Sequence, residues 1–300
     1  QRGNGIMKVG AVYPQIELNG DPEAVDSIAR HVEALGYDHF LMYDHVVGAV
    51  HEGREPALWG PYTERDPFHD PLVAFGYVAA ITKRIELVTG ILILPQRQTV
   101  LVAKQATDVD LLSGGRLRLG VGTGWNYVEY DSLGESFDKR GAKMTEQIGY
   151  LRRLWSEPVM SFDGEFDKMD RACIIPRPRR QIPIWCGGFA EPAYRRAAKM
   201  ADGFIFASAV HLAMPAWTRV QELLKVEGRP VAGFGAHYLL QTDRAAGLPL
   251  QEALDSVRRW QDAGGTHVSV VTMGLGYKTL QQHLDHYSEV WAKLDSSLKN

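Results

Sequence analysis

Eight times along this chain a short apolar run is followed by a longer segment whose apolar residues recur at helical spacing. No other feature of the sequence restricts the fold as much. The strand-like runs are 9–13 (Val9-Gly10-Ala11-Val12-Tyr13), 39–43, 85–94, 116–121, 182–186, 203–207, 233–240 and 267–271. The helical segments are 22–35, 71–81, 100–112, 141–155, 190–200, 215–226, 249–263 and 280–291. Strand–helix alternation implies parallel strands joined by crossover helices. The strands are nearly all apolar, as expected when both faces of a sheet are covered. Eight such units close into a (β/α)8 TIM barrel, and 300 residues suit a fold that typically needs about 250. An open doubly wound sheet is the rival. No linker or composition shift divides the chain, so residues 7–295 read as one domain. Two stretches break the rhythm. One is an insertion after the second strand, 45–70. The other is an excursion between the fourth helix and the fifth strand, 157–181, with a turn at Asp163-Gly164.

Local signals agree with this division. Asp21 stands where a helix N-cap belongs, with Pro22 at the first helical position and Gly36 as the stop. A net charge of −3 and the lack of any block of like charges argue against a nucleic-acid binder. No apolar run reaches the roughly 18 residues a membrane span needs. The polar stretch 1–6 lacks the apolar centre of a signal peptide, and Met7 reads as a natural start. The two cysteines, Cys173 and Cys186, form no CxxC pair and read as reduced thiols of a cytoplasmic protein.

In a barrel of this kind, chemistry sits on the loops at the C-terminal ends of the strands. Four of those loops are unusual. Asp44-His45 follows the second strand: a carboxylate beside an imidazole suits acid–base work, or else the histidine simply braces the long loop. Thr89-Gly90-Ile91 places a glycine inside the third strand, marking either a bulge near a ligand or a crowded barrel interior. Gly120-Val121-Gly122-Thr123-Gly124-Trp125 ends the fourth strand. It is not a dinucleotide fingerprint, because Trp125 replaces the third glycine and the motif is not on the first strand. It reads as a glycine-rich ligand loop or a tight turn. Gly187-Gly188-Phe189 precedes a helix N-terminus, a place that suits a phosphate. His45, His51, Glu52 and His69 share the long loop but lack metal-ligand spacing, so no metal is assigned. Trp59, Tyr62 and Phe68 read as a lid, a substrate wall or loop packing.

Taken together, Tyr43-Asp44-His45, Leu87-Val88-Thr89-Gly90-Ile91-Leu92-Ile93-Leu94-Pro95, Leu119-Gly120-Val121-Gly122-Thr123-Gly124-Trp125 and Pro183-Ile184-Trp185-Cys186-Gly187-Gly188 resemble the luciferase-like flavin monooxygenase superfamily. The likeness is closest to its coenzyme F420-dependent oxidoreductase branch. It covers roughly residues 7–206 well and the last third loosely. The resemblance implies that His45 is catalytic, beside the reactive carbon of the deazaflavin, and that Asp44 contacts the ring. It implies a non-prolyl cis peptide at Gly90-Ile91, with Thr89 in the same bulge, backing the ring. Gly122, Thr123, Gly124 and Trp125 would line the cofactor tail, and Gly187, Gly188 and Phe189 would take its phosphate. Sugar-phosphate dehydrogenases of that branch carry a Glu where this chain has Trp125, which cannot act as an acid. A sugar-phosphate substrate and a two-acid mechanism are therefore not implied.

The expected function is hydride transfer between F420 and a small organic substrate, by a homodimer. The alternative on the same scaffold is an FMN-dependent monooxygenase that uses dioxygen and receives reduced flavin from a partner reductase. A metal-dependent hydrolase and a non-enzymatic binding barrel are the more distant rivals.

Overall fold

The computed structural model describes residues 6–241 and 249–299. Residues 1–5 of the polar N-terminal stretch lie outside the described residues. The eight strand positions form one closed parallel barrel. They are β1 (Lys8–Val12), β2 (His39–Met42), a position split into β3 (Glu86–Thr89) and β4 (Leu92–Ile93), β5 (Leu117–Gly122), β8 (Ile184–Gly187), β9 (Gly203–Phe206), β10 (Gly235–Gln241) and β11 (His267–Val271). Ring closure runs through both halves of the split position. Leu87 pairs with Leu117, and Leu92 pairs with Val121. The single strand read over 85–94 is thus two pieces, parted by the cis peptide Gly90–Ile91 that the resemblance implies.

The outer ring holds α1 (Pro22–Leu35), α2 (Pro71–Ile81), α3 (Thr99–Ser113), α5 (Arg140–Ser156), α6 (Glu191–Met200), α7 (Val210–Val226), α8 (Leu250–Asp262) and α9 (Leu280–Lys293). Their ends follow the sequence signals. Asp21 accepts the Glu23 amide at 2.9 Å, Asp70 accepts that of Val73 at 3.0 Å, and Gly36 closes α1 at φ 108°. Helix α7 begins five residues before Pro215, earlier than the proline suggests. Pro215 sits inside it, lacking only the N–H that would reach back to the His211 carbonyl. A further short helix, α4 (Tyr127–Ser132), had no separate expectation. The 157–181 excursion is an antiparallel hairpin of β6 (Met160–Asp163) and β7 (Lys168–Ala172). Its tip is fastened by Glu146 of α5, which accepts the amides of Glu165, Phe166 and Asp167 at 2.7–3.0 Å.

The large core lies between the strands and the helices. A second apolar cluster fills the barrel: Val12, Leu41, Val88, Trp185, Ile205, Leu239 and Val271, with Tyr43, Ile91 and Met273 against it. Below it, at the N-terminal ends of the strands, the barrel is plugged by polar groups. Ser269 Oγ sits 2.6 Å from His39 Nε2 and 2.7 Å from His237 Nε2. The Arg118 guanidinium lies 4.0 Å over the Trp185 ring and pairs with Glu86 at 3.1 Å. With the interior filled, the loops at the C-terminal ends of the strands are where a site is expected.

Both cysteines are free. Burial pushes the Cys186 thiol up to about 12, which removes it as a nucleophile. No helix among the described residues is long and apolar enough to cross a membrane.

Candidate active site at the C-terminal face

Strand β2 delivers Tyr43, Asp44 and His45 to the barrel mouth, and the two polar residues separate there. Asp44 is buried. Its carboxylate takes Arg97 Nη2 at 2.7 Å and Nε at 3.3 Å, and the Ile93 amide at 2.9 Å. Arg97 Nη2 also reaches Asp70 at 2.9 Å, the N-cap of α2. Burial pushes the Asp44 carboxyl up, against the pull of Arg97. In Arg97 burial opposes the charge, but Asp44 and then Asp70 outweigh it and hold the proton on. The resemblance implies a ring contact for Asp44. Instead, both of its oxygens are engaged in joining the end of β2 to β4 and α2.

His45 points to a residue that sequence reading missed. Glu129, on α4, is fully buried, and its Oε2 meets His45 Nδ1 at 2.9 Å. Its Oε1 accepts the amides of Val46 at 2.5 Å and Val47 at 3.1 Å. The helix that carries it is set by Asn126, whose Oδ1 accepts the Val128 amide at 3.1 Å and whose Nδ2 reaches the Val47 carbonyl at 3.3 Å. An Asn with a Glu three residues on is an N-terminal helix signature, and it was there to be read.

Three aromatic rings surround the His45 imidazole. Phe68 lies 4.8 Å away, Tyr62 5.2 Å and Trp125 5.6 Å, all steeply tilted to it. Tyr62 and Phe68 also meet each other at 4.9 Å, and His51 approaches Trp125 at 6.0 Å. A Cβ built on Gly60 would fall 2.3 Å from the Trp125 ring, so only a glycine lets the long loop lie on that indole. Tyr62 and Phe68 therefore form a wall with Trp125. Trp59 is 81% exposed and takes no part in it.

The glycine-rich turns divide between packing and an open rim. A Cβ on Gly122 would meet Ile91 at 2.6 Å, and one on Gly187 would meet it at 2.7 Å. These two glycines make room for the Ile91 side chain. Gly90 leaves room for Leu41, and Gly124, at φ 65°, faces Ile93. Thr89 is buried, with its hydroxyl donating to the Gly120 carbonyl at 2.7 Å. The Thr123 carbonyl accepts the Tyr130 hydroxyl at 2.6 Å. Gly188, at φ 143°, turns the chain into α6; the next residue, Phe189, is 72% exposed. Helix α6 then starts at Glu191, with Ala190 at the N-cap and no side chain capping it. Pro192 has no N–H and the Ala193 amide reaches the Ala190 carbonyl at 2.9 Å, so in the first turn the Glu191 amide is the one left for an anion.

What the arrangement offers is a histidine backed by a buried carboxylate, an aromatic wall beside it, and an uncapped helix N-terminus on the same face of the barrel. Among the described residues, no group of three or more His, Cys, Asp or Glu is placed to hold a metal ion. A cavity of about 470 Å³ lined by Trp185, Phe234 and His267 opens at the opposite end, where barrel residues serve stability.

The profile of the luciferase-like monooxygenase family matches residues 6–296. An uncharacterised protein of Mycobacterium tuberculosis is 30% identical over 275 residues, covering 87% of this chain and 92% of its own length. An F420-dependent secondary alcohol dehydrogenase, solved with an F420–acetone adduct, superposes with a TM-score of 0.78 at 15% identity, covering 99% of this chain and all of its own. The monooxygenase RslO1 from Streptomyces bottropensis superposes at 0.77 with 17% identity, covering 96% of this chain and 98% of its own. At such identities the two solved structures show the fold alone.

Proposed function

The chain belongs to the luciferase-like monooxygenase family of oxidoreductases, and on that premise we propose that it uses the deazaflavin F420 to exchange a hydride with a small, largely apolar organic substrate. The observation that carries this reading is the His45–Glu129 pair against the aromatic wall. It provides one group able to hold or move a proton, on a surface otherwise fit for flat apolar rings. A bound deazaflavin supplies the carbon that gives or accepts the hydride. His45 takes up or releases the accompanying proton. Tyr62, Phe68 and Trp125 hold the reacting groups apart from water, and the N-terminus of α6, with Phe189 before it, holds phosphate.

Titration of the purified protein with F420 and, separately, with FMN tests this reading. Selective F420 binding supports it, and selective FMN binding favours the monooxygenase alternative. Binding of neither removes the cofactor assignment. The phosphate clamp has its own test. A side chain at Gly188 would be strained and would meet Ala193 at 2.8 Å, so the change belongs at Ala190, whose backbone is extended. Ala190→Asp should cap α6 and raise stability by about 1 kcal/mol. The same carboxylate should weaken cofactor binding by about tenfold, roughly 1.4 kcal/mol, through repulsion of the phosphate. A higher melting temperature with unchanged affinity would place the phosphate elsewhere.

We also propose that the protein works as a homodimer through α2 and α3. Helix α2 carries no charged residue, and packs beside α3. Val73 (72% exposed) and Tyr77 on α2 present apolar surface to solvent, as do Leu101 and Leu112 on α3. Sedimentation should give a dimer that Val73→Asp converts to a folded monomer. A monomeric wild type would end this proposal.

A further inference from the structure

A neutral imidazole carries its proton on one nitrogen or the other, and only the nitrogen left bare can accept a proton from a bound molecule. At His45 the choice is made by what Nδ1 faces. Its partner at 2.9 Å is Oε2 of Glu129, a carboxylate with no exposed surface. The other carboxylate oxygen is already occupied by two backbone donors, the amides of Val46 and Val47. Glu129 is thus an acceptor on both sides. Imidazole is a stronger base than carboxylate, so a proton lying between the two rests on nitrogen. Nε2 has no hydrogen-bond partner among the described residues.

We propose that Glu129 is a positioning residue that locks His45 as the Nδ1–H tautomer and leaves Nε2 as the working nitrogen of the site. The proposal rests on His45 being the acid–base group assigned above. The same three hydrogen bonds fix the first turn of the long loop, so tautomer and loop are set by one side chain. Asn126 contributes from the same helix, holding the Val47 carbonyl while capping the turn that presents Glu129. The mechanism is electrostatic as well as geometric: any neutral isostere at position 129 must replace one acceptor by a donor.

That replacement gives a sharp expectation for Glu129→Gln. An amide has one oxygen and one NH2 group. The Val46 and Val47 amides both require an oxygen, whereas His45 Nδ1 can meet either group by changing its tautomer. The oxygen of the glutamine is therefore drawn to the two backbone amides. Its NH2 then faces Nδ1, which must become the acceptor, and the proton moves to Nε2.

The experiment is two-bond ¹H–¹⁵N correlation on protein labelled at its ten histidines, without cofactor, at a pH where His45 is neutral. His45 is identified by the signal that His45→Gln removes. Wild type should show Nδ1 of protonated type and Nε2 of bare type, and Glu129→Gln should exchange the two. If Glu129→Gln does not fold, Glu129→Ala takes its place and should raise the Nε2–H form. A wild-type His45 already in the Nε2–H form overturns the proposal, as does a folded glutamine variant whose His45 keeps the wild-type tautomer. Neither result depends on which cofactor binds. Failure here and failure of the cofactor titration are therefore separate findings.

Discussion

Replacing Asp44 by alanine is expected to lower folding stability by about 3–5 kcal/mol, the usual cost of removing one partner from a buried ion pair. Two losses add. Arg97, with only 13% of its side chain exposed, loses its bidentate partner and keeps only the single contact to Asp70. The Ile93 amide loses the oxygen that holds it at 2.9 Å inside the protein. An unsatisfied buried donor costs about 1–3 kcal/mol by itself. Asp44→Asn should cost less, because its amide oxygen can still accept from Ile93. The double variant Asp44→Leu/Arg97→Met should recover the part that comes from the stranded Arg97 but not the part that comes from the Ile93 amide, which still lacks an acceptor. Urea unfolding reads all three. A cost below about 1 kcal/mol for the alanine variant, at unchanged denaturant slope, would mean that the pair does not tie β2 to β4 and α2 as described.

This result also bears on the proposed site, because Asp44 and His45 are neighbours with different partners. Asp44 ends the barrel strand and is held inside; His45 begins the loop and is held by α4. A pair that reads from sequence as a joint acid–base dyad is, in space, a carboxylate tied to Arg97 beside an imidazole tied to Glu129. The imidazole has its own carboxylate, 84 residues further along the chain.

The parts of the fold that were legible are those whose signals are local. Helical periodicity, the caps at Asp21 and Gly36, and the apolar strand runs each reside within about fifteen residues, and their alternation fixes the barrel. Glu129 is legible as part of a helix-start signature with Asn126, but not as the partner of His45. Its partners His45, Val46 and Val47 come from another loop, and α4 is only six residues long, too short to show a period. The glycines are legible only in part. A sequence shows that Gly122 and Gly187 lack a Cβ, but not what fills the space; here it is the Ile91 side chain, placed by the cis peptide before it. Pro215 misled because proline is commonest at a helix start, yet one missing amide can be accommodated within a helix of seventeen residues. Phe189 and the open end of α6 were read from order alone, and they stand on the face where the barrel rule puts them.

Acidification should unfold this protein unusually steeply, and the polar plug at the barrel floor gives the reason. His39 and His237 are fully buried side by side, and His267, partly buried at the cavity on that face, packs against both rings. His39 and His237 Nε2 lie 3.3 Å apart and share Ser269, and Arg118 Nη1 is 3.3 Å from His237 Nδ1. His267 packs edge-on to Trp185 at 4.8 Å, with its Nδ1 on Thr266 Oγ1 at 2.8 Å. Burial, and then neighbouring positive charge from Arg118, Lys8 and the histidines themselves, holds all three well below the ordinary 6.5. Glu86 is engaged with Arg118 and offsets little of this. The folded state thus stays unprotonated at these rings while the unfolded chain binds protons normally. Their contribution to stability is complete above pH 6.5 and is lost as pH falls. Well below 6.5 the unfolded state holds three more protons, so stability should drop by three times about 1.4, or roughly 4 kcal/mol per pH unit. Against a total of about 5–15 kcal/mol, two to three pH units exhaust the fold. His39→Gln keeps a polar side chain in the plug but removes one titrating group, and should reduce that slope by about a third. Urea midpoints measured from pH 7 to pH 5 on both proteins decide it. Equal slopes in the two would show that the floor admits protons without opening, and that acid acts on the protein elsewhere.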